Sequence, residues 1–323
     1  MIYKALAEII LAAGLVQLFP VNAGVVETYT KLPEAGGREN FSLSQLMEET
    51  FGTLPMAEDV ASPTKIKPES LGVVTAATTA LMVDVKSGAI LFEKNSSEQR
   101  SIGSITKLMT ALVFLSDQPN LFAAAMIEKS DLREGGRQHI PVGAVVTTGD
   151  LLFASLVSSD NSATAALARL SGLSEADFVA QMNARARELL MNDSIFTDPT
   201  GLSSGNRSTA RDLIKLLSAA LQDENIRLAT EQATVTITST DNQVYQLENT
   251  NELLTGFIDQ DTYKIIGGKT GYLPEAGYCL GIEVQKDGSK NIFVVVLGSD
   301  SIRDRLTDVK NLALWAYQTY RWE

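Results

Sequence analysis

Apolar residues recur along this chain with two periods. Toward the C-terminal end, and in one early stretch, they alternate or run on as strands do. Through the middle they fall at helical spacing. Regular structure is expected from about residue 74. There VTAATTALMVDV and AILFEKN flank Lys86-Ser87-Gly88, the pattern of a β-hairpin with a glycine turn. Thr106–Leu115 (TKLMTALVFL) is a strongly apolar helix pattern, and Gly149-Asp150 precedes a second candidate at Leu151–Leu156. Ala163–Leu170 is Ala/Leu-rich. From Ser174 to Leu190, Phe178, Val179, Met182, Ala186 and Leu189 share one face, with Ser174 and Asp177 as the starting cap. Ser208–Leu221 reads as a further helix. Strand signals return at Lys269–Tyr272, Tyr278–Gln285 and Asn291–Gly298. The last two are joined by the turn Lys286-Asp287-Gly288-Ser289. Arg303–Tyr317 closes the pattern as a helix, and no internal repeat is visible.

Strands at both ends with helices between them call for an α/β architecture of the α+β type. An antiparallel sheet is built from both ends of residues 71–323 and flanked by terminal helices. An all-helical lobe is inserted at about 116–245. A cleft between the lobes is the natural ligand site. Residues 24–70, with PEAGG and ASPTKIKPES, read as a linker holding one short helix around Leu43–Phe51. Residues 1–23 carry Lys4, an apolar run from Ile9 to Phe19, and Val21-Asn22-Ala23. This is the layout of a secretory signal. The run is shorter than the ~20 apolar residues of a membrane-spanning helix. Glu8 leaves an amphipathic helix or an uncleaved anchor open. Export places the protein outside the cytoplasm, in the periplasm or at the cell surface, with the N-terminus as its one membrane tether.

Charge and two scarce residues narrow the chemistry. The 323 residues hold 27 Lys+Arg against 39 Asp+Glu, a net charge of −12. Such a chain is a poor non-specific binder of nucleic acid, which needs a basic surface. A single cysteine, Cys279, excludes an intrachain disulfide or a multi-cysteine zinc site. A single histidine, His139, lies in the glycine-rich stretch GGRQHIPVG and is expected to be structural or solvated. Proton transfer then falls to Lys, Asp, Glu or Tyr.

Three short patterns carry candidate chemistry: Ser104-Ile105-Thr106-Lys107, Ser159-Asp160-Asn161 and Lys269-Thr270-Gly271. Each alone is weak. Ser62-Pro63-Thr64-Lys65, Ser204-Gly205-Asn206 and Lys86-Ser87-Gly88 repeat or resemble them in a Pro-rich linker, a loop and a hairpin turn. Context separates the sets. Ser104 opens the apolar helix, so Lys107, three residues on, lies on its face. A serine hydroxyl needs a base to become a nucleophile, and lysine is the base on hand. A free lysine has a pKa of ~10.4. Work near neutrality needs burial or a second cation, and Lys269 is the candidate cation. Ser159 is placed to relay a proton to a leaving amine. Asn161 is placed to hold a substrate amide or to orient Lys107. Lys269-Thr270-Gly271 begins an edge strand able to pair with an extended peptide, with Gly271 permitting close approach. The backbone N–H groups of Ser104 and Tyr272 are candidates for an oxyanion hole.

The ordered trio resembles the serine penicillin-recognising enzymes. The flanks SIGSITKLMTALVF, GDLLFASLVSSDNSATAALA, MNDSIFTDPTGLSSGNRSTARDL and GGKTGYLPEAGYCLG resemble one branch of them, the low-molecular-mass penicillin-binding proteins that are D-alanyl-D-alanine peptidases. The resemblance spans about residues 70–320. It implies Ser104 as acyl-accepting nucleophile, Lys107 as its base, Ser159 as proton relay and Asn161 as a substrate-amide contact. Lys269 becomes an electrostatic partner and Thr270 a ligand of the substrate's terminal carboxylate. Peptidoglycan stem peptides are the implied substrate and β-lactams the implied covalent inhibitors. No metal or organic cofactor is called for. Carboxypeptidase action is the first expectation, endopeptidase action on cross-links the alternative, and β-lactamase action a third. A catalytically idle wall-binding protein is the non-enzyme rival.

Some relatives place an arginine for the substrate carboxylate where this chain has Asn249-Thr250-Asn251. Many carboxypeptidases of the type also continue into a second β-domain and an amphipathic tail, whereas endopeptidase members are short, as is this chain, which stops at Trp322-Glu323. Glu188-Leu189-Leu190-Met191-Asn192 faintly resembles the deacylating motif of class A β-lactamases, but Arg185 nearby makes a surface ion pair the simpler expectation. Cys279 is expected to be a small strand residue without a chemical role.

Overall fold

The computed structural model describes residues 61–256 and 262–323. The expected signal at 1–23 and the helix around Leu43–Phe51 lie outside the described residues. The central element is a five-stranded antiparallel sheet. Its order is β10 (Tyr263–Leu273), β11 (Gly277–Lys286), β12 (Lys290–Ser299), β2 (Thr79–Asp84), β3 (Ile90–Lys94). Early and late segments meet where β12 pairs with β2, at Val294↔Met82 and Val296↔Ala80. The turn between β11 and β12 carries Asp287 at φ 51° and Gly288 at φ 74°. Lys286 pairs with Lys290, which leaves Asp287–Ser289 as the loop, and the two left-handed positions match the twist of the flanking strands.

Both faces of the sheet are covered, which explains why its strands show little polar alternation. Ala80, Met82, Leu280, Ile282, Val294 and Val296 point into one apolar cluster with Val309, Leu312, Ala313 and Ala316 of the C-terminal helix α7 (Ile302–Thr319). Leu81, Val83, Phe293, Val295 and Leu297 point the other way. They meet Leu213, Leu216 and Leu217 of α5 (Ala210–Gln222).

Between β3 and β10 the chain supplies α1 (Thr106–Ser116), α2 (Thr148–Val157), α3 (Asn161–Leu170), α4 (Glu175–Glu188), α5 and α6 (Glu224–Glu231). Side-chain caps set several starts. Thr147 and Asp150 form a capping box on α2, so this helix begins before the Gly149-Asp150 pair. Asp160 caps α3 by accepting from Ala163 N. Ser174 caps α4, and Phe178, Met182 and Ala186 are its buried face.

Three features were not legible in the pattern. α6 is short and capped by Asp223. The hairpin of β8 (Thr234–Thr238) with β9 (Val244–Glu248) buries only Ile237 and Leu247. β1 (Thr64–Lys65), in the stretch read as linker, pairs with β13 (Tyr320–Arg321). Two further short pairs are β4 (Arg100–Ser101) with β7 (Arg207–Ser208) and β5 (Ala124–Met126) with β6 (Val145–Thr147). Among the described residues no helix is long and apolar enough to cross a membrane.

Candidate active site

Ser104 sits on a single 3-10 turn, Gly103–Ile105, that runs directly into α1. Three glycines let other backbone segments press against this turn. A Cβ on Gly271 would stand 2.2 Å from the Ile102 carbonyl oxygen. One on Gly103 (φ +53°) would stand 2.7 Å from Tyr272 N, and one on Gly201 (φ +85°) 2.3 Å from Gly103 O. The edge strand β10 and the 198–206 loop are therefore locked to the residues flanking Ser104. The closeness that the sequence reading reserved for a substrate at Gly271 is already taken, on one side, by Ile102. Gly271→Ala sets a methyl against backbone that no rotamer change relieves. It is expected to destabilise the protein by about 1–3 kcal/mol, read as a lowered denaturant midpoint. An unchanged midpoint would contradict the contact.

Lys107, one turn into α1, is fully buried. Its Nζ lies 2.9 Å from Ser104 Oγ and donates to Asn161 Oδ1 at 2.7 Å and Thr200 O at 2.6 Å. The two acceptors match the two N–H bonds of a neutral amine. The remaining lone pair then faces the Ser104 hydroxyl. Burial pulls the Lys107 pKa down to about 7, with Arg137 lowering it further and Asp198 and Asp160 opposing. Sequence reading named Lys269 as the second cation; the two amines do act on one another, Lys107 lowering the Lys269 pKa, and Arg137 is a further cation that adds to burial at Lys107.

Neither aspartate is free to act as a base. Asp160 accepts from His139 N at 2.6 Å, Ile140 N at 3.1 Å and Ala163 N at 2.9 Å. Asp198 accepts from Thr200 N at 2.6 Å, Gly201 N at 2.8 Å and Ser203 N at 2.8 Å. Both spend their charge on orienting loops.

Ser159 forms the joint between α2 and α3. It is 6% exposed and adopts a left-handed φ of 61°, a conformation that costs a non-glycine residue about 1–2 kcal/mol. Its hydroxyl takes no part in the bonds linking Lys107 to Ser104 and Asn161. Asn161 is anchored through its N–H to Arg137 O at 2.8 Å, and its side-chain oxygen meets Lys107, the second of its two expected tasks.

On β10, Lys269 is buried, with Nζ 3.4 Å from both Thr250 Oγ1 and Thr270 O. Burial, then Lys107, Arg305 and Arg137, lower its pKa well below the usual lysine value. Thr250 and Thr270 share a hydrogen bond at 2.6 Å. Arg305 of α7, 4% exposed, lies over the Tyr278 ring at 5.8 Å, and its Nε is buried with no partner among the described residues. Tyr272 is 49% exposed and stacks on Tyr278 with centroids 4.4 Å apart.

Sequence reading missed Asp198, Thr200, Arg137 and Arg305 as parts of this constellation. The FTDPTGLS block signalled the first two. Thr250 was marked only as the place of an absent arginine. Nothing in the pattern around Arg305 separates it from a helix-surface residue.

The decoy motifs have structural homes. Lys65 Nζ donates to Ser70 O at 2.6 Å. Ser87 closes the first hairpin onto Asp84. Asn206 is more than bland, because its amide ties Thr106 Oγ1 to Asp198 O across the loop. Glu188 pairs with Arg185 at 2.9 Å on the exposed face of α4. Cys279 is buried, which raises its pKa to about 11.

Comparison with known proteins agrees with this geometry. The family described as D-alanyl-D-alanine carboxypeptidase matches residues 64–301. A D-alanyl-D-alanine endopeptidase of Escherichia coli is 31% identical, over 85% of this chain and 86% of its own. A D-alanyl-D-alanine carboxypeptidase of Streptomyces sp. K15 is 33% identical, over 71% of this chain and 83% of its own. Among solved structures, the Streptomyces K15 DD-transpeptidase superposes with a TM-score of 0.70 at 29% identity, covering 77% of this chain and 100% of that one. Penicillin-binding protein D2 of Listeria monocytogenes, in a cefotaxime-bound form, gives 0.66 at 26% identity, covering 77% and 100%.

Proposed function

Because the chain belongs to the D-alanyl-D-alanine carboxypeptidase family, we propose that it is a serine D,D-peptidase of peptidoglycan stem peptides, with Ser104 as acyl acceptor. The observation that carries this reading is the buried Lys107 amine, held by Asn161 and Thr200 with its third position on Ser104 Oγ. Ser104 Oγ attacks the carbonyl joining two D-alanines while Lys107 Nζ takes its proton. The oxyanion that forms meets the backbone N–H groups of Ser104 and Tyr272, each such donor being worth about 10²–10³ in rate. As the intermediate collapses, the proton passes from Lys107 by way of Ser159 to the leaving amine, and D-alanine departs. Water then cleaves the ester, restoring Ser104 and releasing the shortened peptide.

The terminal carboxylate is assigned to Thr270 and Thr250 beside Lys269 and Arg305. Arg305 then fills the role of the arginine absent from the Asn249–Asn251 stretch. Burial and neighbouring cations hold the Lys269 pKa down; an anion seated beside it reverses that. Binding of a D-alanine-terminated peptide to Ser104→Ala is therefore expected to raise the Lys269 pKa and take up a proton at a pH below the usual lysine value of about 10.4. Titration calorimetry in buffers of different ionisation enthalpy reads this directly, and a buffer-independent heat would contradict it. A β-lactam is expected to acylate the same hydroxyl. The cefotaxime-bound neighbour and the signal pattern at 1–23 support β-lactam capture and a place outside the cytoplasm.

Carboxypeptidase action stands first. Endopeptidase action on cross-links is the second reading, favoured by relatives of that name in Escherichia coli, Pseudomonas aeruginosa and Haemophilus influenzae at 31%, 35% and 33% identity. Product analysis on whole sacculi separates them: free D-alanine for the first, dimers split to monomers for the second. Neither product from active-looking, folded protein would end the proposal.

A further inference from the structure

We propose that Arg137 is a second anion-binding side chain of this crevice, taking a carboxylate of the peptide substrate other than its C-terminal one. The inference rests on the D,D-peptidase reading and names its substrate class more closely. Arg137 is exposed and follows the half-buried Gly136, yet the backbone around it is clamped to the site. Arg137 O accepts from Asn161 N at 2.8 Å. A Cβ on Gly136 would stand 2.9 Å from Asn161 Nδ2, so glycine lets the loop lie directly on that side chain. Two residues on, Asp160 grips His139 N at 2.6 Å and Ile140 N at 3.1 Å. The loop is thus fastened to the residues that orient Lys107, and it carries its exposed arginine beside the crevice.

The charges converging there are lopsided. The protein as a whole has 39 acidic and 27 basic residues. Arg137, in the 133–140 loop, nonetheless acts electrostatically on Lys107 of α1, Lys269 of β10 and Arg305 of α7. The acidic groups that reach Lys107, Asp160 and Asp198, are consumed by backbone amides. Among the described residues Arg137 has no carboxylate partner. Arginine stays protonated at any working pH, so Arg305 and Arg137 are two permanent cations in one site. A substrate's C-terminal carboxylate answers one, on the Thr250 and Thr270 side. The Arg137 backbone is held on the Asn161 side, and its cation is left for a second. The fitting substrate is a stem peptide whose residue before the D-alanines is a diamino dicarboxylic acid, such as diaminopimelate, with its side-chain carboxylate free. A planar guanidinium suits such a group, taking it in a two-pronged, charge-assisted hydrogen bond.

The test is a matched pair of acyl-diaminopimelyl-D-Ala-D-Ala peptides, one with the side-chain carboxylate free and one with it amidated. The quantity read is the ratio of their kcat/KM values, which does not depend on how much of a preparation is active. Wild type is expected to favour the free acid by about tenfold, the value of a typical charge-assisted bond. Arg137→Ala brings the ratio near one, Arg137→Glu takes it below one, and Arg137→Lys keeps a preference for the acid. A wild-type ratio near one, or an Arg137→Ala ratio equal to wild type, overturns the assignment. If wild type cleaves neither peptide and forms no penicillin adduct on Ser104, the D,D-peptidase reading itself has failed, which is a different result from an unchanged ratio in a working enzyme.

Discussion

Exchanging Ser104 for alanine abolishes covalent capture of a penicillin. Wild type gains the mass of one opened antibiotic, mapped by peptide mass spectrometry to the segment holding Ser104, and the variant gains none. The expected loss in acylation rate is at least about 10⁴-fold, because removing a nucleophile leaves only binding and oxyanion stabilisation. No neighbour substitutes for it. The amine next in line, Lys107 Nζ, is fully buried and engaged by Asn161 and Thr200. Ser159 Oγ makes no hydrogen bond to Lys107 among the described residues, the amine being turned to Ser104, Asn161 and Thr200. The fold should survive, since Ser104 Oγ contributes one hydrogen bond, of about 1 kcal/mol. An adduct that persists in the alanine variant, or a wild type that never acquires one, would sink the acyl-enzyme mechanism.

The second large effect belongs to Lys107. Lys107→Met keeps the length and apolar stem of the side chain but removes the base. Acylation is expected to slow by about 10²–10⁴, the usual reach of a positioned general base. Wild-type acylation should also report the base's own titration. Only the neutral amine accepts a proton, and burial places its pKa at about 7. The rate therefore rises roughly tenfold per pH unit below that value and levels off above it. A limb displaced to about 10, where a solvated lysine titrates, would refute the assignment.

Stability runs in the same direction. The unfolded lysine holds its proton up to about 10.4, whereas the folded one gives it up above about 7. Between those values the unfolded chain binds more protons, so this group's contribution to stability rises with pH. The Met variant lacks that dependence. Denaturant midpoints of wild type relative to Lys107→Met should therefore climb from pH 7 to pH 10; parallel curves would mean that Lys107 is not desolvated.

Local chemistry in the sequence was enough for several features. Alternating and continuous apolar runs marked β2, β11 and β12, because a covered sheet needs apolar residues on both faces. The Asp287-Gly288 turn was legible because few residues accept two left-handed positions in a row. Ser104 and Lys107 were legible as a pair because the helix supplies their geometry within a single turn. Tertiary structure alone decided the rest. That Asn161 and Thr200 share one amine with Ser104 depends on how α3 and the 198–206 loop pack on α1, and no local pattern encodes that. Arg137 joins Lys269 as a cation acting on Lys107 because the Asp160 carboxylate and the Asn161 N–H bind backbone atoms of its loop, which any residue would present. Arg305 reads as an ordinary helix residue until α7 folds across the sheet and buries it under the end of β11. Burial, which turns lysine from an acid into a base, is a property of neighbours brought together from the length of the chain, and the order of residues specifies it only through the completed fold.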